Sequence, residues 1–247
     1  MLEYAPTITV LDTAAEVEAL AASILIEQVV RKPDSVLTMP TGGTPIGVYR
    51  ILVEAYRAGI VNFNELTILN LDEYILKNPE LMPVYEEYMK YNLYDHVNVP
   101  VNNRHIPNGR AEDPHAEAER YRQLIDSLAI DLGFVSIGPG MTCHIGFNER
   151  GSTIDSRVRY VLLDPETVQA NIKDFEDPAD MPEGAITQGI VEILEAERVL
   201  LIATGPHKAR GINRSLNGEI GPEAPASFLR THPNVHFVLD SAAASLL

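Results

Sequence analysis

The amino-acid sequence predicts an α/β fold, a single-domain doubly wound, mostly parallel Rossmann-like sheet flanked by helices. Apolar, β-rich runs alternate with segments of helical period from end to end, with short connections between them. Several runs, Val199-Leu200-Leu201-Ile202-Ala203 among them, are continuous rather than alternating, as expected of strands covered on both faces by helices. Two runs open directly into glycine-bearing loops, and open α/β sheets bind ligands at the carboxyl ends of their strands.

In chain order the expected strands are residues 7–11, 36–39, 66–71, 132–137, 158–163, 199–203 and 235–239. Helical periodicity predicts helices over 13–31, 45–58, 84–94, 114–127, 187–194 and 207–217. No internal repeat, low-complexity tract or linker interrupts residues 1–247, which are read as one domain. The Pro- and Asp-rich segment 173–183 (KDFEDPADMPE) is the most loop-like and is expected to form a flap over the site.

Composition narrows the partners. A chain of 247 residues with 45% hydrophobic and 22% charged residues can bury one substantial core. Its formal charge of −16 argues against nucleic acid or an anionic membrane as partner. No apolar stretch has membrane-spanning length, and Met1-Leu2-Glu3-Tyr4 lacks the start of a signal peptide, so the cytoplasm is expected. The one cysteine, Cys143, allows no internal disulfide and fits a reducing compartment. An anionic substrate would need a local positive site acting against the overall field.

Three segments carry candidate chemistry. Met39-Pro40-Thr41-Gly42-Gly43-Thr44-Pro45 leaves a strand and enters a helix, with Thr44 as expected N-cap and Pro45 at the first helical position. Two glycines beside a helix N-terminus suit a phosphate monoester, although a tight, well-capped turn fits the segment equally well. The segment is neither a Walker A loop nor a dinucleotide fingerprint. In Leu69-Asn70-Leu71-Asp72-Glu73-Tyr74 a strand runs into two carboxylates, and one partly removed from water could serve as a base on a carbon acid. A solvated loop start is the plainer alternative. Gly138-Pro139-Gly140-Met141-Thr142-Cys143-His144-Ile145-Gly146-Phe147-Asn148-Glu149 places an imidazole and a carboxylate five residues apart on a strand-end loop, a pattern suited to proton transfer.

Taken together, TGGTP, NLDEY and HIGFNE resemble the glucosamine-6-phosphate deaminase/isomerase family, and so do residues 63–74 (FNELTILNLDEY), 105–109 (HIPNG) and 225–232 (PASFLRTH). The resemblance spans nearly the whole chain in the expected order. Sugar lactonases acting on 6-phosphogluconolactone share the fold but typically carry a different tail after the His, so HIGFNE points to the deaminase branch. The resemblance implies a small-molecule sugar phosphate as partner and no metal or redox cofactor, and it leaves both monomer and homo-oligomer open. It implies that Thr41, Gly42, Gly43 and Thr44 hold the 6-phosphate, assisted by Lys208. Asp72 would move a proton between C2 and C1, and His144, oriented by Glu149, would open the sugar ring.

Departures from the family pattern cluster at these positions. Thr142 and Cys143 stand where relatives usually have Asp or Asn followed by Gly, the Asp belonging to the ring-opening relay. A Thr hydroxyl can hydrogen-bond but cannot supply the charge that stabilises an imidazolium. Cys143 adds a side chain beside the His, at a cost if the backbone needs φ > 0. Val168 stands in place of a phosphate-gripping Arg, with Arg150 and Lys173 as candidate substitute cations. Val84 stands where relatives often show Ser before a Tyr. A deaminase, a related aldose–ketose isomerase or lactonase, and a non-catalytic sugar-phosphate-binding protein all remain compatible with this pattern.

Overall fold

The computed structural model describes residues 2–138, 140–172, 175 and 177–247. Strands β1 (Thr7–Leu11), β2 (Val36–Met39), β3 (Thr67–Asn70), β5 (Arg104–His105), β6 (Leu132–Ser136), β9 (Arg198–Ala203) and β10 (Val235–Asp240) form one sheet in the order β1-β10-β9-β6-β2-β3-β5. Every pairing in it is parallel. From β2 the chain winds outward through β3 to β5, then returns to place β6 on the other flank of β2. The topological switch, where a doubly wound sheet opens its ligand crevice, is therefore the β2–β6 seam.

Apolar runs continue without alternation because helices cover both faces. Helices α1 (Ala14–Arg31) and α2 (Ile46–Arg57) close over Leu37, Met39, Ile68, Phe134, Leu200 and Ile202. On the other face α4 (Pro114–Asp126), α6 (Ile190–Leu194) and α7 (Ala209–Asn217) close over Leu69, Val135, Ile137, Val199 and Leu201. Successive residues of β9 thus enter different cores, as the two-residue period of a strand requires.

The structure departs from the expected all-through winding after Leu71. There the chain leaves the large sheet and starts β4 (Asp72–Tyr74), which joins β8 (Gly184–Thr187) and β7 (Arg159–Leu162) in a small antiparallel sheet ordered β4-β8-β7. The strand expected at 158–163 lies in this second sheet. The helix expected from residue 187 begins only at Ile190, because residues 184–187 are held as strand and the Gly189 N–H is capped by Glu192 Oε2 at 2.8 Å. Helix α3 (Val84–Met89) passes into a π-type turn over Lys90–Tyr94, and a short turn at Pro206–Lys208 precedes α7. Helix α5 (Pro165–Asn171), capped by Asp164, has no counterpart among the expected elements. Within the segment expected as a flap, Lys173, Asp174 and Glu176 lie outside the described residues, and Phe175 packs on Tyr74 with ring centroids 5.7 Å apart. Among the described residues no helix is long and apolar enough to cross a membrane.

Candidate active site

A cleft open to solvent lies over the carboxyl ends of β2 and β6, where a small molecule can enter a doubly wound sheet. Its floor and walls are residues 40–44, Asp72, Tyr85, Gly138, His144, Phe147, Asn171 and Lys208. Of the residues expected at the site, Thr41, Gly42, Gly43, Thr44, Asp72, His144 and Lys208 meet here.

The loop after β2 is held from behind. The Tyr49 hydroxyl donates to the Pro40 carbonyl, and Tyr88 Oη donates to the Gly42 carbonyl at 2.7 Å. Gly42 sits at φ 97°, a conformation that favours glycine, while a Cβ on Gly43 would meet no protein atom within 4 Å. Thr44 does not cap the helix as expected. Pro45 occupies the N-cap position of α2 and no side chain bonds the first turn. Its leading N–H groups therefore lack an internal partner and present the positive end of the helix dipole toward the cleft.

The two carboxylates at the end of β3 part company because side chains alternate along β4. Glu73 turns away and accepts the backbone N–H groups of Tyr74, Tyr85 and Glu86 at 2.8–3.1 Å, fixing the start of α3 and with it Tyr85 in the cleft wall. Burial raises the Glu73 pKa to about 8 despite these bonds. Asp72 turns into the cleft. Only 6% exposed, it has its pKa raised to about 7 by loss of solvation. Gly146, at φ 58°, makes room for it: a Cβ there would stand 3.2 Å from Asp72 Oδ2 and 2.8 Å from the Thr187 hydroxyl.

Gly138 admits the imidazole in the same way. A Cβ at Gly138 would lie 2.0 Å from His144 Nε2, so the ring packs flush on this backbone. Thr142 Oγ1 is 2.8 Å from His144 Nδ1, and the Gly138 N–H donates to the His144 carbonyl at 2.8 Å. Burial, then the nearby Lys208 charge, lowers the His144 pKa to about 4, so the imidazole is neutral at physiological pH. Cys143 occupies the left-handed region at φ 51° with its side chain fully buried, and its carbonyl is held by the Ala226 N–H at 2.9 Å. The backbone need expected at this position is real, and a β-carbon there stores strain.

Glu149 is not the hydrogen-bond partner of His144. Both its oxygens are buried without a hydrogen bond. Burial raises its pKa, opposed by the nearby Thr167 hydroxyl and Asp164 backbone. Thr142 takes the place beside the imidazole instead. Lys208 is buried, donates from Nζ to the Ile137 carbonyl, and has its pKa lowered to about 8 by desolvation. Val168 does not face the cleft. It packs with Val84 and Tyr85 against an apolar cluster of Tyr74, Phe147, Leu163, Met181 and Ala185. Arg150 pairs with Glu223 at 3.8 Å outside the cleft, and Lys173 lies outside the described residues. Asn171, whose Nδ2 donates to Tyr74 Oη at 2.9 Å, and Tyr85 reach the cleft from α5 and α3. The departures at Val84 and Val168 lie in their neighbourhoods, but only the fold brings these distant elements together at the cleft. Among the described residues no three His, Cys, Asp or Glu side chains cluster closely enough to hold a metal ion.

The fold and cleft define a doubly wound α/β protein whose cleft, at the topological switch, is lined by a carboxylate, an imidazole and an ammonium. Comparison with known proteins makes the assignment specific: the chain belongs to the glucosamine-6-phosphate isomerase/6-phosphogluconolactonase family, whose model matches residues 11–237. It is 45% identical over 230 residues to a glucosamine-6-phosphate deaminase of Rhodopirellula baltica, covering 93% of this chain and 91% of that one. A deaminase of the same name from Halothermothrix orenii is 44% identical over 233 residues, with 94% and 96% covered. The solved structure of a monomeric glucosamine-6-phosphate deaminase superposes with a TM-score of 0.92 at 37% identity, covering 98% of this chain and 100% of that one. A 6-phosphogluconolactonase from Trypanosoma brucei shares the fold at a TM-score of 0.76 and 19% identity, with 99% of each chain covered.

Proposed function

We propose that this protein is a glucosamine-6-phosphate deaminase, converting a hexosamine 6-phosphate and water to a ketohexose 6-phosphate and ammonia. The observation that carries this reading is Asp72, a buried carboxylate with a pKa of about 7, facing the same cleft as a glycine-bearing helix N-terminus. A base on a carbon acid works best with its pKa near the working pH. The backbone of Thr41 to Thr44 and the ammonium of Lys208 bind the 6-phosphate. Neutral His144 takes the proton of the anomeric hydroxyl and returns it to the ring oxygen, opening the ring. Asp72, as carboxylate, removes the C2 proton and delivers it to C1 through an enediol-type intermediate. Water then adds at C2 and ammonia leaves.

In this scheme Thr142 orients His144 through Nδ1. A free thiol and a phosphorylated substrate both suit the cytoplasm. Ammonia release from a panel of hexosamine 6-phosphates, with 6-phosphogluconolactone hydrolysis followed in parallel, tests the proposal. Lactone hydrolysis without ammonia release would overturn it, as would sugar-phosphate binding without turnover.

A further inference from the structure

Among the described residues no hydrogen bond reaches the Asp72 carboxylate, and burial is the sole cause of its pKa shift. Its aim is therefore set by the backbone that carries it, and that backbone is gripped by one residue the sequence did not single out. Gln188 follows β8 and is fully buried. Its backbone N–H donates to the Leu71 carbonyl at 2.7 Å, and its side-chain Nε2 donates to the Asn70 carbonyl at 3.0 Å. The two carbonyls immediately preceding Asp72 are thus held by a single residue.

The same residue reaches the imidazole loop. Asn148 Nδ2 donates to the Gln188 carbonyl at 2.7 Å, and Asn148 is fixed in turn by Arg159 Nη1 on its Oδ1 at 2.9 Å. On the β2 side Thr38 Oγ1 stands 3.5 Å from Gln188 Oε1, at the limit of a hydrogen bond. A buried amide is tolerated only when its polar atoms find partners. Those of the Gln188 side chain lie on the base strand and on the strand entering the phosphate loop, while the His144 loop is held through the Gln188 backbone carbonyl. Packing alone would be served as well by an apolar side chain of the same length.

We propose that Gln188 is a positioning residue that aims Asp72 at the reacting carbon by locking the end of β3 to the His144 loop. The inference rests on the deaminase reading above. Because misplacing a catalytic group by about 1 Å can cost roughly a hundredfold, Gln188→Met, which keeps length and removes the amide, is expected to lower kcat for ammonia release roughly ten- to a hundredfold. Affinity for a hexitol 6-phosphate, which cannot react, should change less than about threefold, since phosphate contacts are untouched. Both are measured well below the variant's Tm, so that only folded protein is compared.

Tyr121→Phe supplies a second variant should Gln188→Met fail to fold. It removes the other donor on the Asn70 carbonyl, the Tyr121 hydroxyl at 2.7 Å, and should lower kcat in the same selective way but less. A folded Gln188→Met enzyme with wild-type kcat and reduced Tm would reduce the residue to scaffolding and overturn the proposal. So would equal losses in kcat and hexitol phosphate affinity, or a Tyr121→Phe enzyme with unchanged kcat when Gln188→Met does not fold. A wild-type protein showing neither ammonia release nor exchange of the C2 proton would instead overturn the deaminase reading, leaving no carbon for Gln188 to aim at.

Discussion

The two ends of the cleft are built on different principles. The end formed by residues 40–45 is made of backbone: a left-handed glycine, an uncapped helix start and two tyrosine hydroxyls that brace carbonyls from behind. The acid–base end is made of side chains whose positions depend on glycines elsewhere, Gly138 under His144 and Gly146 beside Asp72. A backbone site changes little when its side chains change. A side-chain site is only as good as its supports, and the departures at Thr142 and Cys143 fall at that end.

The sharpest test of this contrast is Asp72→Asn. Loss of the general base is expected to reduce turnover by roughly 10²–10⁴ or more while sugar-phosphate affinity stays within a few-fold. In the wild type kcat/KM should fall as pH drops below about 7, where Asp72 becomes protonated. The same pKa carries a stability consequence. Raised above its ordinary value of 3.8 by folding, this carboxyl weakens the fold as pH climbs from about 4 to about 7. The Asn variant should therefore gain Tm over wild type above pH 7 and lose that gain toward pH 4. Thermal melts across this range check the sign.

Gly43→Val probes the opposite end. A Cβ there meets no protein atom within 4 Å, so Tm should barely move, whereas a phosphate approaching this backbone should lose about tenfold or more in affinity, ~1.4 kcal/mol. Calorimetry with a hexitol 6-phosphate gives the answer, and unchanged binding would mean the loop is only a turn. Thr142→Asp asks whether the acid–base end is underpowered. A carboxylate at the position now 2.8 Å from His144 Nδ1 would raise the imidazole pKa, and kcat/KM for a cyclic hexosamine 6-phosphate should rise on the order of tenfold, about 1.4 kcal/mol. Equal effects on a substrate unable to cyclise would remove position 142 from ring opening. The smallest effect is expected for Val168→Arg. Since Val168 packs in the apolar cluster around Tyr74, the new charge should leave phosphate affinity unchanged and cost ~1 kcal/mol of stability. Tighter phosphate binding would show that α5 swings this position into the cleft.

The parts of the molecule legible in the sequence are those in which one segment carries its own signal. The long apolar runs of the large sheet announce themselves because both faces are covered. Strands β4, β5 and β8 do not, since two to four residues such as Asp72–Tyr74 have no pattern and become strand only through their partners. At the site, Thr41 to Thr44, Asp72 and His144 stand in local motifs and Lys208 is implied by the resemblance, and all line the cleft. Glu149 shares a motif with His144 but makes no hydrogen bond to it, the four residues between them including the left-handed Gly146. Tyr85, Asn171 and Gln188 come from distant elements, and Gly138 matters for the ring that lies on it. Gly138 opens a candidate segment and the family resemblance touches Val84 and Val168 near Tyr85 and Asn171, but no local signal marks Gln188.

The seam that makes the cleft is also a short join in the sheet. Strands β2 and β6 are in register over two residue pairs, against five between β6 and β9, and their pairing stops at Thr38 and Gly133, short of the loops that line the cleft. A bound sugar phosphate touching both loops acts there as a keystone, tying one half of the sheet to the other. By mass action a ligand at a hundred times its Kd adds about 2.7 kcal/mol to folding stability. That gain should be concentrated at the seam, so the amides of β2 and β6 should slow their hydrogen exchange most on binding.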